Sequence, residues 1–256
     1  MTDHRVDAKG ATLHVRDKGS GPPVLLLHGL GMDCTLWDDI RARLSGHRLI
    51  TPDLRGHGQS DGPGGPYAMG LLVKDAETVL AALDVADAVV VGHSLGGMIA
   101  QGLAIKRLDL VRALVLAHTA TKFGQPGPWH AQAKIVRSLG AQEMAEDAVW
   151  RWAAQDHADW VEHTLGNTSA EGYAACCEAI AGSDFWTPIS GLRLPTLGIA
   201  GDCDKAMPPD LVRETTDLIP GSHFTLIKGA GHLTPLQDPD AFATALLGFL
   251  ADIGHV

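Results

Sequence analysis

Val89-Val90-Val91-Gly92-His93-Ser94-Leu95-Gly96-Gly97 decides the fold of this chain. Three β-branched residues make a buried strand, and a helical apolar pattern runs from Leu95 to Lys106. Between them, Gly-x-Ser-x-Gly marks a sharp strand-to-helix turn. Such a turn holds its serine in a strained conformation, so the flanking residues must be small. Gly92 and Gly96 supply that room, and Gly97 is expected to let the helix pack close to the sheet. The serine sits at a helix N-terminus, where the dipole favours developing negative charge. Ser94 is therefore the candidate nucleophile.

Working outward, short apolar runs alternate with helical stretches. Residues 5–8 and 11–16 read as a hairpin around Lys9-Gly10. Further strands are expected at 24–28, 48–51, 88–92, 113–117, 196–200 and 223–227, with helices at 36–44, 70–83, 95–106, 209–218 and 239–250. This order predicts an α/β fold whose mostly parallel central sheet is flanked by helices. The alternation breaks between 119 and 188, which reads as several helices entered through the loop Gly124-Gln125-Pro126-Gly127-Pro128. That segment carries Trp129, Trp150, Trp152, Trp160 and Trp186. It reads as a helical lid over a ligand pocket, inserted into a core made of residues 1–118 and 189–256.

A serine hydroxyl needs a base. Of the 13 histidines, His232 lies in Gly229-Ala230-Gly231-His232-Leu233, just past the last expected strand and before a helix. That is the strand end where sites in open α/β sheets gather. His223 begins the same strand at its opposite end, and His130, His157 and His163 read as solvent-facing lid residues. An acid should follow the preceding strand, and Asp202 and Asp204 compete there. Oxyanion donors are expected from the backbone N–H of Leu95 and from Leu30 N–H in His28-Gly29-Leu30-Gly31, with His28 bracing that loop. Asp53-Leu54-Arg55-Gly56-His57-Gly58-Gln59-Ser60 reads as a structural turn with an internal Asp–Arg network.

Composition bounds the rest. The 256 residues fit one domain with a lid, and 45% apolar content suits a packed core. A formal charge of −10 argues against nucleic-acid binding. No apolar run is long enough for a membrane span, and the polar start lacks a signal-peptide pattern. Cys176 and Cys177 are neighbours, a poor disulfide arrangement, and no Cys/His cluster has zinc-site spacing. A reduced cytoplasmic protein is the simplest reading, with neither metal nor organic cofactor required and the oligomeric state left open.

Together, His28-Gly29, Asp53-x-Arg55-Gly56-His57-Gly58-x-Ser60, Gly92-His93-Ser94-Leu95-Gly96-Gly97, Gly201-x-x-Asp204 and Gly231-His232 resemble the α/β-hydrolase superfamily across essentially the whole chain. The resemblance selects Asp204 as the acid, because the superfamily sets it in Gly-x-x-Asp. Asp202 then reads as a turn cap. A narrower resemblance is to 3-oxoadipate enol-lactone hydrolases. It rests on Leu116-Ala117-His118-Thr119-Ala120, Trp129 followed by Arg137, Arg151-Trp152, Glu171-Gly172-Tyr173-Ala174-Ala175-Cys176-Cys177-Glu178-Ala179 and Pro208-Pro209. It implies that Trp129, Arg137, Arg151 and Trp152 bind substrate at the pocket mouth. The chain departs from that family's pattern at Gly29 (often Pro), His93, His118 (often Asn) and Gln132, which stands where a lid Arg is common.

The resulting expectation is a serine hydrolase cleaving a small-molecule ester or lactone through an acyl-enzyme, with 3-oxoadipate enol-lactone as one candidate. A general carboxylesterase, a hydrolase of carbon–carbon bonds, and a ligand-binding protein on a hydrolase fold are the rivals. Ser94 argues against the branches that use Asp as nucleophile.

Overall fold

A computed structural model of the chain describes residues 2–256. One eight-stranded sheet organises it: β1 (Thr2–Ala8), β2 (Ala11–Lys18), β3 (Pro23–Leu27), β4 (Arg48–Pro52), β5 (Ala88–His93), β6 (Val111–Ala117), β7 (Thr196–Gly201) and β8 (His223–Ile227). Their spatial order is β1-β2-β4-β3-β5-β6-β7-β8. β1 and β2 form the expected hairpin, closing at Ala8 opposite Ala11, and β2 pairs antiparallel with β4. Every pair from β4 to β8 is parallel. The inner strands β5 and β7 are buried along their whole length, which is why they read as unbroken apolar runs rather than alternating ones.

Helices flank this sheet. Leu95–Lys106 packs on β5 and β6 and against Met69–Ala82, while Asp38–Arg43 packs against Pro239–Asp252. The helix expected at 36–44 instead begins as a 3₁₀ turn, Cys34–Trp37, because the Asp33 carboxylate caps the Thr35 N–H at 2.9 Å. Pro239–Asp252 starts with a proline at its first position and an Asp238 cap accepting from Ala241 N–H. Between β6 and β7 the chain makes Pro126–Leu139, Ala145–Arg151, Ala158–Gly166, Ala170–Ala181 and Trp186–Ile189, with no strand. Among the described residues no helix is long and apolar enough to cross a membrane.

The Asp53–Ser60 turn is structural, but its wiring differs from the expected internal Asp–Arg network. Asp53 pairs with His14 at 2.8 Å and accepts from the N–H groups of Cys34 and Gln59. Arg55 instead reaches out of the turn to Asp75, in a buried bidentate pair of 2.5 and 2.6 Å. Asp75 lies on Met69–Ala82, so sequence distance hid the partner.

Candidate active site

The turn after β5 brings Ser94 to φ 52°, ψ −116°, the left-handed region that costs a non-glycine residue energy. Its tightness explains two of the glycines. A Cβ on Gly92 would lie 2.4 Å from the Gly96 carbonyl oxygen, and one on Gly96 would lie 2.3 Å from the Leu27 carbonyl oxygen. Gly97 makes room for Thr119 rather than for the sheet itself: its Cβ would sit 2.5 Å from that side chain. Thr119 uses the space to donate to the Ser94 carbonyl at 2.7 Å. His93, expected in the turn, is the last residue of β5, and its Nε2–H donates to the His232 carbonyl at 2.7 Å.

His232 follows β8 and is almost wholly buried. Its Nδ1 lies 2.7 Å from Asp204 Oδ2. The other oxygen, Oδ1, accepts from the N–H groups of Ala206 and Met207 at 2.8 and 2.9 Å. Burial alone would raise the Asp204 carboxyl, but His232 and His118 hold it well below the usual carboxylate range. It is therefore an ionised acceptor. Asp202 points elsewhere: it is exposed and accepts from Gly229 N–H at 2.7 Å, tying β7 to the loop that carries His232.

Ser94 and His232 line one cavity of about 380 Å³, a size suited to a small organic molecule. No hydrogen bond joins the Ser94 hydroxyl to His232 in this structure; such contacts often tighten only with substrate in place. Leu30 lines the same cavity. The N–H groups of Leu30 and Leu95 have no acceptor among the described residues, which leaves both available. His28 braces the Leu30 loop, accepting from Leu54 N–H through Nε2 and donating from Nδ1 to the Gly29 carbonyl.

The helical segment supplies the far wall. Trp129 and Trp152 line the cavity, and Trp152 stacks on the His232 ring at 5.8 Å. Its carbonyl accepts from His232 N–H at 2.9 Å, and a Cβ on Gly231 would lie only 2.1 Å from that oxygen. The glycine before His232 is thus required by contact with the inserted helices. Arg151 also lines the cavity, beside Asp147. Arg137 does not. It lies outside the cavity lining, its guanidinium engaged by Glu171 and Glu178 on Ala170–Ala181. Trp150 and Trp186 are exposed, Trp150 carrying Lys205 over its ring, and Trp160 donates to Thr35. Only two of the five tryptophans in this segment face the cavity.

Gln132 is in the lining and donates to the hydroxyl of the buried Tyr173 at 2.6 Å. One group that sequence reasoning assigned no role is His118, at the end of β6. It touches Asp204, and its place at a strand's C-terminal end was the available signal.

Two groups, His14/Cys34/Asp53 and His118/Asp204/His232, bring donor atoms within 4.8 Å of one another. In both, the carboxylate already accepts from imidazole, and burial pushes the Cys34 thiol far up.

Burial also pushes His28, His57, His93 and His118 below the ordinary histidine value, His57 to about 3. In the unfolded chain each would take up a proton near pH ~6.5. Between those limits the unfolded state binds more protons, so stability falls as pH drops, by up to about 1.4 kcal/mol per pH unit per histidine. His14, raised by its bond to Asp53, works in the opposite sense. The melting temperature is thus expected to fall steadily from pH 6.5 to 4.5, as calorimetry would register. A flat profile there would contradict four histidines buried neutral.

A family model described as the alpha/beta hydrolase family matches residues 24–245. Over 235 residues the chain is 34% identical to 3-oxoadipate enol-lactonase 2 of Acinetobacter baylyi, covering 88% of this chain and 87% of that relative. The crystal structure of the enol-lactonase from Burkholderia xenovorans LB400 superposes with a TM-score of 0.92 at 30% identity, covering 98% of this chain and 100% of that one. A malate-bound thermophilic esterase from Thermogutta terrifontis superposes with a TM-score of 0.93 at 27% identity, covering 100% of both chains.

Proposed function

Since the chain belongs to the alpha/beta hydrolase family, we propose that it hydrolyses small lactones and carboxylic esters through an acyl-enzyme on Ser94. The carrying observation is that Ser94, held on its strained turn, shares a cavity with His232, whose Nδ1 is bound to a buried, ionised Asp204. Because Asp204 only accepts, His232 carries its proton on Nδ1 and offers the Nε2 lone pair as base. Ser94 Oγ attacks the carbonyl carbon while Nε2 takes the hydroxyl proton. The tetrahedral oxyanion is held by the N–H groups of Leu30 and Leu95. His232 then protonates the leaving oxygen, which for a lactone stays tethered to the acyl chain. Water enters, gives a proton to His232 and attacks the ester carbonyl, and Ser94 Oγ departs with that proton. The chain's own residues supply every step.

Residues 119–188 act as a cap in this reading, with Trp129, Trp152 and Arg151 as its substrate-facing groups. The names of the relatives support an enol-lactone such as that of 3-oxoadipate. A second reading, a general carboxylesterase, is favoured by the neutral Gln132–Tyr173 pair in the cavity wall. Among the described residues that line it, the one Lys or Arg, Arg151, has an acidic neighbour in Asp147. A screen pairing carboxylate-bearing enol-lactones with neutral aryl esters separates the two by kcat/KM. Turnover of neither class would overturn the proposal. For the cap, Trp129→Ala and Trp152→Ala are each expected to lower kcat/KM about tenfold, as lost contact with a substrate ring or chain would. Unchanged values in both would remove the cap from the site.

A further inference from the structure

His118 directly follows β6 in the left-handed region, φ 50°, and is completely buried. Its Nδ1 lies 2.8 Å from Asp204 Oδ2, the same oxygen that meets His232 Nδ1 at 2.7 Å. Its Nε2 lies 2.8 Å from Thr234 Oγ1. An ionised carboxylate has no proton to give, so both imidazoles must donate to it. A neutral His118 therefore holds its single proton on Nδ1, and Thr234 donates to Nε2. With the two backbone N–H groups on Oδ1, Asp204 receives four donors. That fills the roughly four lone-pair sites a carboxylate offers.

We propose that His118 is a positioning residue of the reaction: its neutral imidazole shares the Asp204 oxygen with His232, fixing the direction of that carboxylate and limiting how strongly it draws a proton onto the base. This rests on the triad reading above. A carboxylate oxygen that already accepts a neutral N–H has its negative charge partly satisfied. It therefore stabilises the His232 imidazolium less than a singly bonded oxygen would. His232 is kept a willing proton donor to the leaving group as well as a base.

The titratable groups packed here are His93 from β5, His118 just after β6, Asp204 after β7 and His232 after β8. The ring centroids of His93, His118 and His232 lie 4.8 to 5.3 Å apart. Trp152, against the His232 ring, and Thr234, bonded to His118, are uncharged neighbours. His93 spends its Nε2–H on the His232 carbonyl and makes no bond to Asp204. His118 is thus the one side chain besides His232 that bonds the acid among the described residues.

The test compares His118→Leu, which removes the donor, with His118→Asn, whose amide N–H can occupy the place of Nδ1. Both are assayed on a neutral aryl ester from pH 5 to 9, with melting temperature and phosphonate titration of Ser94 counting folded, competent sites. In His118→Leu the acid limb of kcat/KM is expected to move up by about half to one pH unit. Plateau kcat per competent site is expected to fall about tenfold with KM little changed. His118→Asn should restore the wild-type limb. An unmoved limb in a folded leucine variant, or an asparagine variant displaced like it, would overturn the proposal. Should His118→Leu not fold, a folded His118→Asn with a displaced limb does the same. A Ser94→Ala enzyme that keeps its turnover would instead remove the triad reading beneath it.

Discussion

Ser94→Ala is expected to lose kcat by a factor on the order of 10⁶, with the melting temperature changed by no more than a few degrees. By the relation between rate and barrier, that factor is about 8 kcal/mol of lost transition-state stabilisation. All of it comes from one oxygen that cannot be replaced. The neighbouring machinery would stay in place, since Ser94 is held by backbone bonds: its N–H donates to the Ala117 carbonyl and its carbonyl accepts from Thr119. Alanine would keep both. The φ of 52° is no worse for alanine than for serine. Kinetics on an aryl ester, with calorimetry as the folding control, measure the two quantities separately. Mass spectrometry after treatment with a phosphonate ester should find the label on Ser94. A label elsewhere, or near-normal kcat in the alanine variant, would defeat the assignment.

The second large effect belongs to Asp204→Asn. An asparagine can present one oxygen and one NH₂ group, but Asp204 meets N–H donors on both sides. If the amide oxygen stays with Ala206 and Met207, its NH₂ faces the Nδ1 atoms of His118 and His232. Both rings must then give up the Nδ1–H form, and His232 would carry its proton on Nε2, where it cannot accept one from Ser94. The expected loss in kcat is on the order of 10⁴. Asp202→Asn keeps an acceptor oxygen for Gly229 N–H, so it should cost stability by about 1 kcal/mol or less and leave kcat near wild type. Measuring kcat and melting temperature for both variants decides the matter. The reverse pattern would move the acid to Asp202 while leaving Ser94 and His232 where they are.

Two carboxylates separated by one residue illustrate the boundary between sequence and structure. Spacing after β7 narrowed the acid to Asp202 or Asp204, and resemblance chose between them. The direction of each side chain depends on how the loop turns against β8. Asp202 caps the Gly229 backbone across that gap, and Asp204 turns inward to two histidines. Arg137 and Arg151 show the same limit on the inserted helices. Both are cations on amphipathic segments, and the positions of Glu171 and Glu178 on another helix decide that Arg137 faces away from the cavity.

What the sequence by itself determined is local. Apolar runs of strand length, the glycines around Ser94, and the prolines at helix starts act over a few residues, through sterics and backbone geometry. Those signals placed every strand after the first to within a residue or two, the first with its start three residues late, along with the turn that presents Ser94 and the loop that presents His232. What only the tertiary structure decided is which side chains meet across elements distant in the chain. His118 meets Asp204 86 residues away, His93 meets the His232 carbonyl 139 residues away, and Trp152 presses its own carbonyl onto the backbone at Gly231. No local pattern encodes such pairings: the first two are selected by parallel-strand packing that brings the ends of β5, β6, β7 and β8 to one edge, and the third by how the inserted helices lie over that edge. Only there do burial and hydrogen bonding fix the protons of three neighbouring imidazoles.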